Sequence, residues 1–115
     1  PLDWNESVVK CAELRASEII QPNSFSHTRP DGRRYQTVKD DLGFGEELHL
    51  GGENASITIK GTTNKEIAYT IYQKWYNSSS HRKNMLNPFF KYFGGGFELS
   101  MWNNYKAVYG IQLFG

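Results

Sequence analysis

The sequence predicts an α+β domain, folded as a three-layer α-β-α sandwich around a central, mainly antiparallel sheet. Three observations lead there. Apolar residues recur at helical spacing over residues 4–20 and again over 64–77. Residues 92–102 and 105–114 read as two strands joined by Asn103-Asn104, a two-residue hairpin signal that tolerates positive φ. The second of these strands, KAVYGIQLF, is apolar on both faces, as suits an interior strand covered on two sides.

At 115 residues the chain is one domain, large enough for a modest core. Charge is nearly balanced, with 13 basic against 12 acidic residues, and no dense Lys/Arg run, which argues against a nucleic-acid binder. No apolar run is long enough to span a bilayer. One cysteine, Cys11, excludes an internal disulfide framework and a cysteine zinc cage. Its apolar helical neighbours mark it as a buried, inert thiol.

In chain order, residues 4–20 are the first helix. Asp3 is its expected cap, with Glu6 in capping-box position. Trp4, Val8, Cys11, Ala12, Ala16, Ile19 and Ile20 form its apolar stripe, and Glu6, Lys10, Glu13, Arg15 and Glu18 its wet face. Residues 22–34 are a loop, anchored by Phe25 and turned at Pro30-Asp31-Gly32. His27 lies between those points; from the pattern alone it is a solvated histidine. Tyr35–Val38 reads as a short strand, Lys39–Gly45 as a helical turn or loop. Glu46, Glu47 and His49 are expected at the surface. Gly51-Gly52 allows an unusual backbone path just before Glu53 and Asn54, and residues 56–60 read as a brief strand. Thr63 caps the 64–77 helix with Glu66 completing the box, and Ile67, Ala68, Ile71, Tyr72 and Trp75 form its buried stripe. Ser78, Ser79 and Ser80 make a corner of good cap residues. A short helix then starts at His81 and stops at Asn87-Pro88. There the positive end of the helix dipole favours neutral imidazole. Gly94, Gly95 and Gly96 in the first hairpin strand imply a bulge, a bend or the close approach of another backbone.

The residues also resemble a known family. Phe25-Ser26-His27-Thr28-Arg29-Pro30-Asp31-Gly32 is very close to the FSHTRPDG motif of bacterial CAP-superfamily (SCP-like) domains, related to cysteine-rich secretory proteins, antigen 5 and plant pathogenesis-related proteins. Gly52-Glu53-Asn54 resembles the family's GEN motif. Trp75, Ser78, His81, Arg82, Asn84, Met85 and Leu86 resemble WxxSxxHRxNIL. Residues 92–97 occupy the place of the family's glycine-rich strand, and residues 109–115 resemble its closing strand. The resemblance implies an α-β-α sandwich with an open cleft. It also implies a single domain over residues 1–115 that lacks the family's usual first helix. Eukaryotic members carry two histidines and two acidic residues in the cleft. His27 and His81 match the histidines and Glu53 one acid, whereas the other acid falls at about Ser78. The ligand cleft implied is therefore His27, Glu53, His81 and Ser78.

Two imidazoles and a carboxylate are a ligand set for Zn²⁺, with His27, His81 and Glu53 as ligands, or with Glu53 as a catalytic base. A hydrogen-bonded structural cluster is the alternative. Ser26, Ser78, Ser79 and Ser80 lie near the histidines in sequence, yet none sits in a nucleophile elbow, which argues against a serine hydrolase. The expectation is thus a secreted or cell-envelope binding module that requires no cofactor. Its partner would be a protein, a lipid or a cell-wall ligand. A zinc-dependent peptidase or esterase in the same cleft is the runner-up.

Overall fold

The computed structural model describes residues 2–59 and 63–115. Its principal elements are β1 (Asp3–Trp4), α1 (Glu6–Ile19), α2 (Val38–Asp41), β2 (Gly52–Ile59), α3 (Asn64–Asn77), α4 (Ser79–Leu86), β3 (Tyr92–Trp102) and β4 (Tyr105–Phe114). The four strands form one sheet in the order β1-β3-β4-β2. β4 pairs antiparallel with both β2 and β3, while β1 pairs in parallel with β3 at Tyr92 and Phe93. The fold is therefore α+β with a mixed sheet.

The hairpin is as the sequence predicts: both strands have the expected limits, and Asn103 turns the chain at φ 54°. Alternation along β4 divides the core in two. Ala107, Tyr109, Ile111 and Leu113 pack with Val8, Cys11, Ala12, Ala16 and Ile19 of α1. Val108, on the opposite face, packs with Ile67, Ile71 and Trp75 of α3. Helices thus lie on both faces, but the second face is only partly covered. Phe97, Leu99 and Met101 of β3 stay exposed, and an open groove of about 540 Å³ runs between β3 and α3. Cys11 is fully buried, and burial pushes its thiol up to about 11.

The glycine-rich run in β3 marks where α1 crosses the sheet. A Cβ on Gly94 would strike the backbone of Val8 and Val9, and one on Gly96 the backbone of Ala12 and Glu13. Close approach of another backbone, one of the three readings open from sequence, is the one realised.

Several local expectations are corrected. α1 begins two residues later than its apolar pattern does. Asn5, not Asp3, caps it by accepting from the Val8 amide at 3.0 Å, because residues 3–4 are drawn into the sheet edge beside β3. Trp4 is consequently exposed and packs edge-on against Phe93. Arg15 and Glu18 belong to the buried side of α1 rather than its wet face. Residues 35–37 form a 3-10 turn leading into α2 instead of a strand; Arg29 ties Thr37 and Asp41 together there and curls the segment. Phe25 is exposed, and the loop is held by buried Arg29 through its bonds to Glu18, Thr37 and Asp41. β2 starts at Gly52 and so absorbs Glu53 and Asn54; Lys60, the expected end of that strand, lies outside the described residues. In α3 the cap is as expected, with Thr63 Oγ1 accepting from Glu66 N at 3.1 Å. Its buried stripe narrows to Ile67, Ile71 and Trp75, while Ala68 and Tyr72 face outward. α4 begins at Ser79, not His81. Glu46, Glu47 and His49 lie toward the surface as expected.

Candidate functional site

The site assembles around edge strand β2. Glu53 lies on the α1 side of that strand, opposite Leu113 in register. Asn54, the next residue, points to the other face. Its Nδ2 donates to the His81 carbonyl (3.1 Å) and to Gln112 Oε1 (3.2 Å). Asn84 of α4 donates to the Glu53 carbonyl (3.3 Å) and to Asn54 Oδ1 (3.0 Å). These amides lock α4 onto β2, fixing where His81 stands.

Glu53 is committed on both carboxylate oxygens. Arg15 donates to it in a fork, Nε to Oε2 at 2.7 Å and Nη2 to Oε1 at 3.0 Å. His27 Nδ1 contacts Oε1 at 2.7 Å. The Arg15 and Glu53 side chains are fully buried, while His27 is largely exposed. Arg15 also donates to Glu18 Oε1 (3.0 Å) and to the Ser26 carbonyl (2.6 Å), which pins the His27 loop. Arg29 continues the network to both Glu18 oxygens, Thr37 Oγ1 and Asp41. Asp41 takes a second guanidinium, from Arg33, and the two arginines hold its carboxyl well below the usual carboxylate range.

The two histidines differ electrically. The hydrogen bond to Glu53 raises the His27 pKa against the opposing effect of burial. Burial lowers that of His81, and repulsion from His27 adds to it. His81 is thus shifted toward neutral imidazole, with desolvation rather than the helix dipole as the main cause. His81 Nδ1 meets Ser78 Oγ at 2.9 Å. Ser78 precedes α4 but makes no side-chain cap bond; it positions the imidazole instead.

Ring titration by NMR should place His27 above the ordinary imidazole value of about 6.5 and His81 below it. In Glu53→Gln the His27 midpoint should fall. Because the folded value is raised, the stabilisation from His27 is complete below the unfolded value and fades as pH rises through the folded midpoint. His27→Ala should therefore cost more stability at about pH 5 than at about pH 9. An unchanged His27 midpoint in Glu53→Gln would contradict the geometry.

The fit of Zn²⁺ is poor. Among the described residues no group of three His, Cys, Asp or Glu is arranged to hold a metal ion. A cation at Glu53 would have to displace a buried guanidinium that already engages both oxygens. The same fork argues against Glu53 as a free base.

Arg15 is the site residue that sequence reasoning missed. Its signal was present: position 15 continues the stripe of Val8, Cys11, Ala12 and Ile19, so a charge there must be buried and paired. Trp75 packs in the core on the α3 side of the sheet and donates from its indole to the Ala55 carbonyl at 3.2 Å. Trp102 lies at the hairpin end of β3.

An α+β sheet flanked by helices, with this polar cluster at its edge, has the SCP-like fold. An outer surface protein from Borrelia burgdorferi superposes with a TM-score of 0.64 at 13% identity, over 98% of this chain and 76% of that one. An extracellular SCP-domain protein from Bacillus anthracis str. Ames gives 0.62 at 19%, over 98% and 33%. The chain belongs to the cysteine-rich secretory protein (CAP) family, whose model matches residues 1–114. It is 33% identical over 98 residues to the uncharacterized protein YkwD of Bacillus subtilis (strain 168), covering 84% of this chain and 35% of that protein. It is 28% identical to the uncharacterized membrane protein YlbC of the same organism, covering 83% and 25%. The chain thus spans about a third or less of these curated relatives. No helix among the described residues is long and apolar enough to cross a membrane.

Proposed function

We propose that residues 1–115 act as one α-β-α CAP module, exposed outside the cytoplasm, that binds a ligand through the cleft of His27, Glu53, His81 and Ser78. One observation carries this reading. Glu53 is saturated by Arg15 and His27, so its role is to position His27 and the loop rather than to react. The cleft then offers two imidazoles whose pKa values are shifted in opposite directions, together with the Ser78 hydroxyl, as hydrogen-bonding groups. The extracellular description of the Bacillus anthracis protein and the outer-surface description of the Borrelia protein support the placement. The geometry lends the zinc-hydrolase alternative no support.

Calorimetric titration of Zn²⁺ into the wild-type domain, with His27→Ala and His81→Ala alongside, tests this. The binding-module reading expects no saturable heat at micromolar metal. Micromolar binding abolished in both variants would overturn it and make the cleft a metal site.

A further inference from the structure

Charge is distributed unevenly along this chain. Residues 67–97 contain Lys74, Arg82, Lys83 and Lys91, whereas all 12 Asp and Glu lie outside that segment. The ion pairs formed among the described residues fall between positions 15 and 53. Lys83 and Lys91 are exposed and have no carboxylate partner among the described residues.

Between these two lysines the chain turns from α4 into β3 and presents apolar groups outward. Leu86 is 62% exposed and Phe89 86%, and Pro88 beside them is exposed too. The turn is built to hold them there. Met85 packs inward against the α3 core, which leaves Leu86 outside. Phe90 stacks on Phe114, with ring centroids 5.6 Å apart and planes 17° from parallel. Asn87 accepts from the Phe89 amide through Oδ1 at 2.9 Å and from the Phe90 amide through its carbonyl at 3.2 Å. Lys91 N donates to the Gly115 carbonyl at 2.7 Å, closing the base of the turn. Phe90 is thus the anchor and Phe89 the tip. The backbone of the turn is already ordered before the tip docks, which lowers the entropic cost of docking.

A protruding pair of apolar side chains flanked by unpaired cations matches one chemistry, an anionic lipid surface. The apolar tip enters the boundary between headgroups and acyl chains, while cations on long stems reach the phosphates. We propose that the α4–β3 turn, residues 83–91, docks this domain on anionic bilayers, with Phe89 and Leu86 inserting and Lys83 and Lys91 meeting the headgroups. Because α4 also carries His81, docking would hold the polar cleft beside the membrane surface. The proposal does not depend on what the cleft binds.

Co-sedimentation with vesicles of mixed phosphatidylglycerol and phosphatidylcholine, against phosphatidylcholine alone, tests it. Binding is expected to the mixed vesicles, much weaker to the neutral ones, and to fall with added salt. Phe89→Ser should weaken partitioning about tenfold or more, and Lys83→Gln with Lys91→Gln roughly tenfold or more. All three side chains are exposed, so the variants should keep the wild-type circular dichroism. Absence of binding to mixed vesicles overturns the proposal. So does binding that both variants leave unchanged, which would put the contact elsewhere on the surface. If a purified protein partner is captured through Phe89 while vesicles are ignored, the turn is a protein interface and the proposal fails.

Discussion

Arg15→Met should lower the stability of the domain by about 3–5 kcal/mol, because it leaves the buried Glu53 carboxylate without its main counter-charge. Both side chains are fully buried, so solvent is kept from replacing the lost fork. Among the described residues, His27 then remains as its side-chain partner, on one oxygen. Glu18 suffers less, since Arg29 still holds it on both oxygens. The loop at Ser26 is released at the same time, because its carbonyl accepts from Arg15. Denaturant unfolding of the single variants and of Arg15→Met with Glu53→Gln gives a double-mutant cycle. The double variant should recover part of the loss, since a neutral amide is cheaper to bury than an unpaired charge. A loss under about 1 kcal/mol in Arg15→Met would mean that the network contributes little.

Gly96→Ala should be nearly as damaging. The added methyl would meet the Ala12 carbonyl carbon and oxygen and the Glu13 nitrogen, all backbone atoms of a helix that is itself packed on the sheet. A flexible side chain could swing aside, but this backbone cannot. The expected loss is about 3 kcal/mol, at the upper end of the overpacking range. Gly95→Ala is the internal control. Its Cβ would point to the opposite face, with a Phe97 side-chain carbon at 3.5 Å as nearest neighbour. It should be neutral or slightly stabilising, since alanine restricts the unfolded chain more than glycine does. Equal unfolding midpoints for the two variants would refute the close crossing of α1 over β3.

Positions 15 and 96 also separate what could be read from the sequence. The FSHTRPDG, GEN and WxxSxxHRxNIL resemblances named the family and singled out His27, Glu53 and His81. Glu53 and His27 do meet, at 2.7 Å, and the His81 pKa is lowered by burial first and by the neighbouring His27 second. The hairpin limits and the α3 cap were legible because turn chemistry and capping act over a few residues. Arg15 was misread because its charge was weighed above its place inside the stripe of Val8, Cys11, Ala12 and Ile19. The stripe shows that the charge is buried, but not which distant carboxylate pairs with it.

What the sequence by itself determined was the α+β class, the order of the long elements and the residue types near the site. Each follows from local periodicity, caps and turns, whose energies lie within a few neighbouring residues. Only the tertiary structure decided that Arg15 reaches across 38 positions to take both oxygens of Glu53. It alone shows that residues 3–4 join β3 as a parallel edge strand, and that Phe90 turns inward while Phe89 stays in solvent. Those outcomes depend on which distant group occupies the facing space. Burial there makes a charge either paired or costly, and no local pattern carries that information.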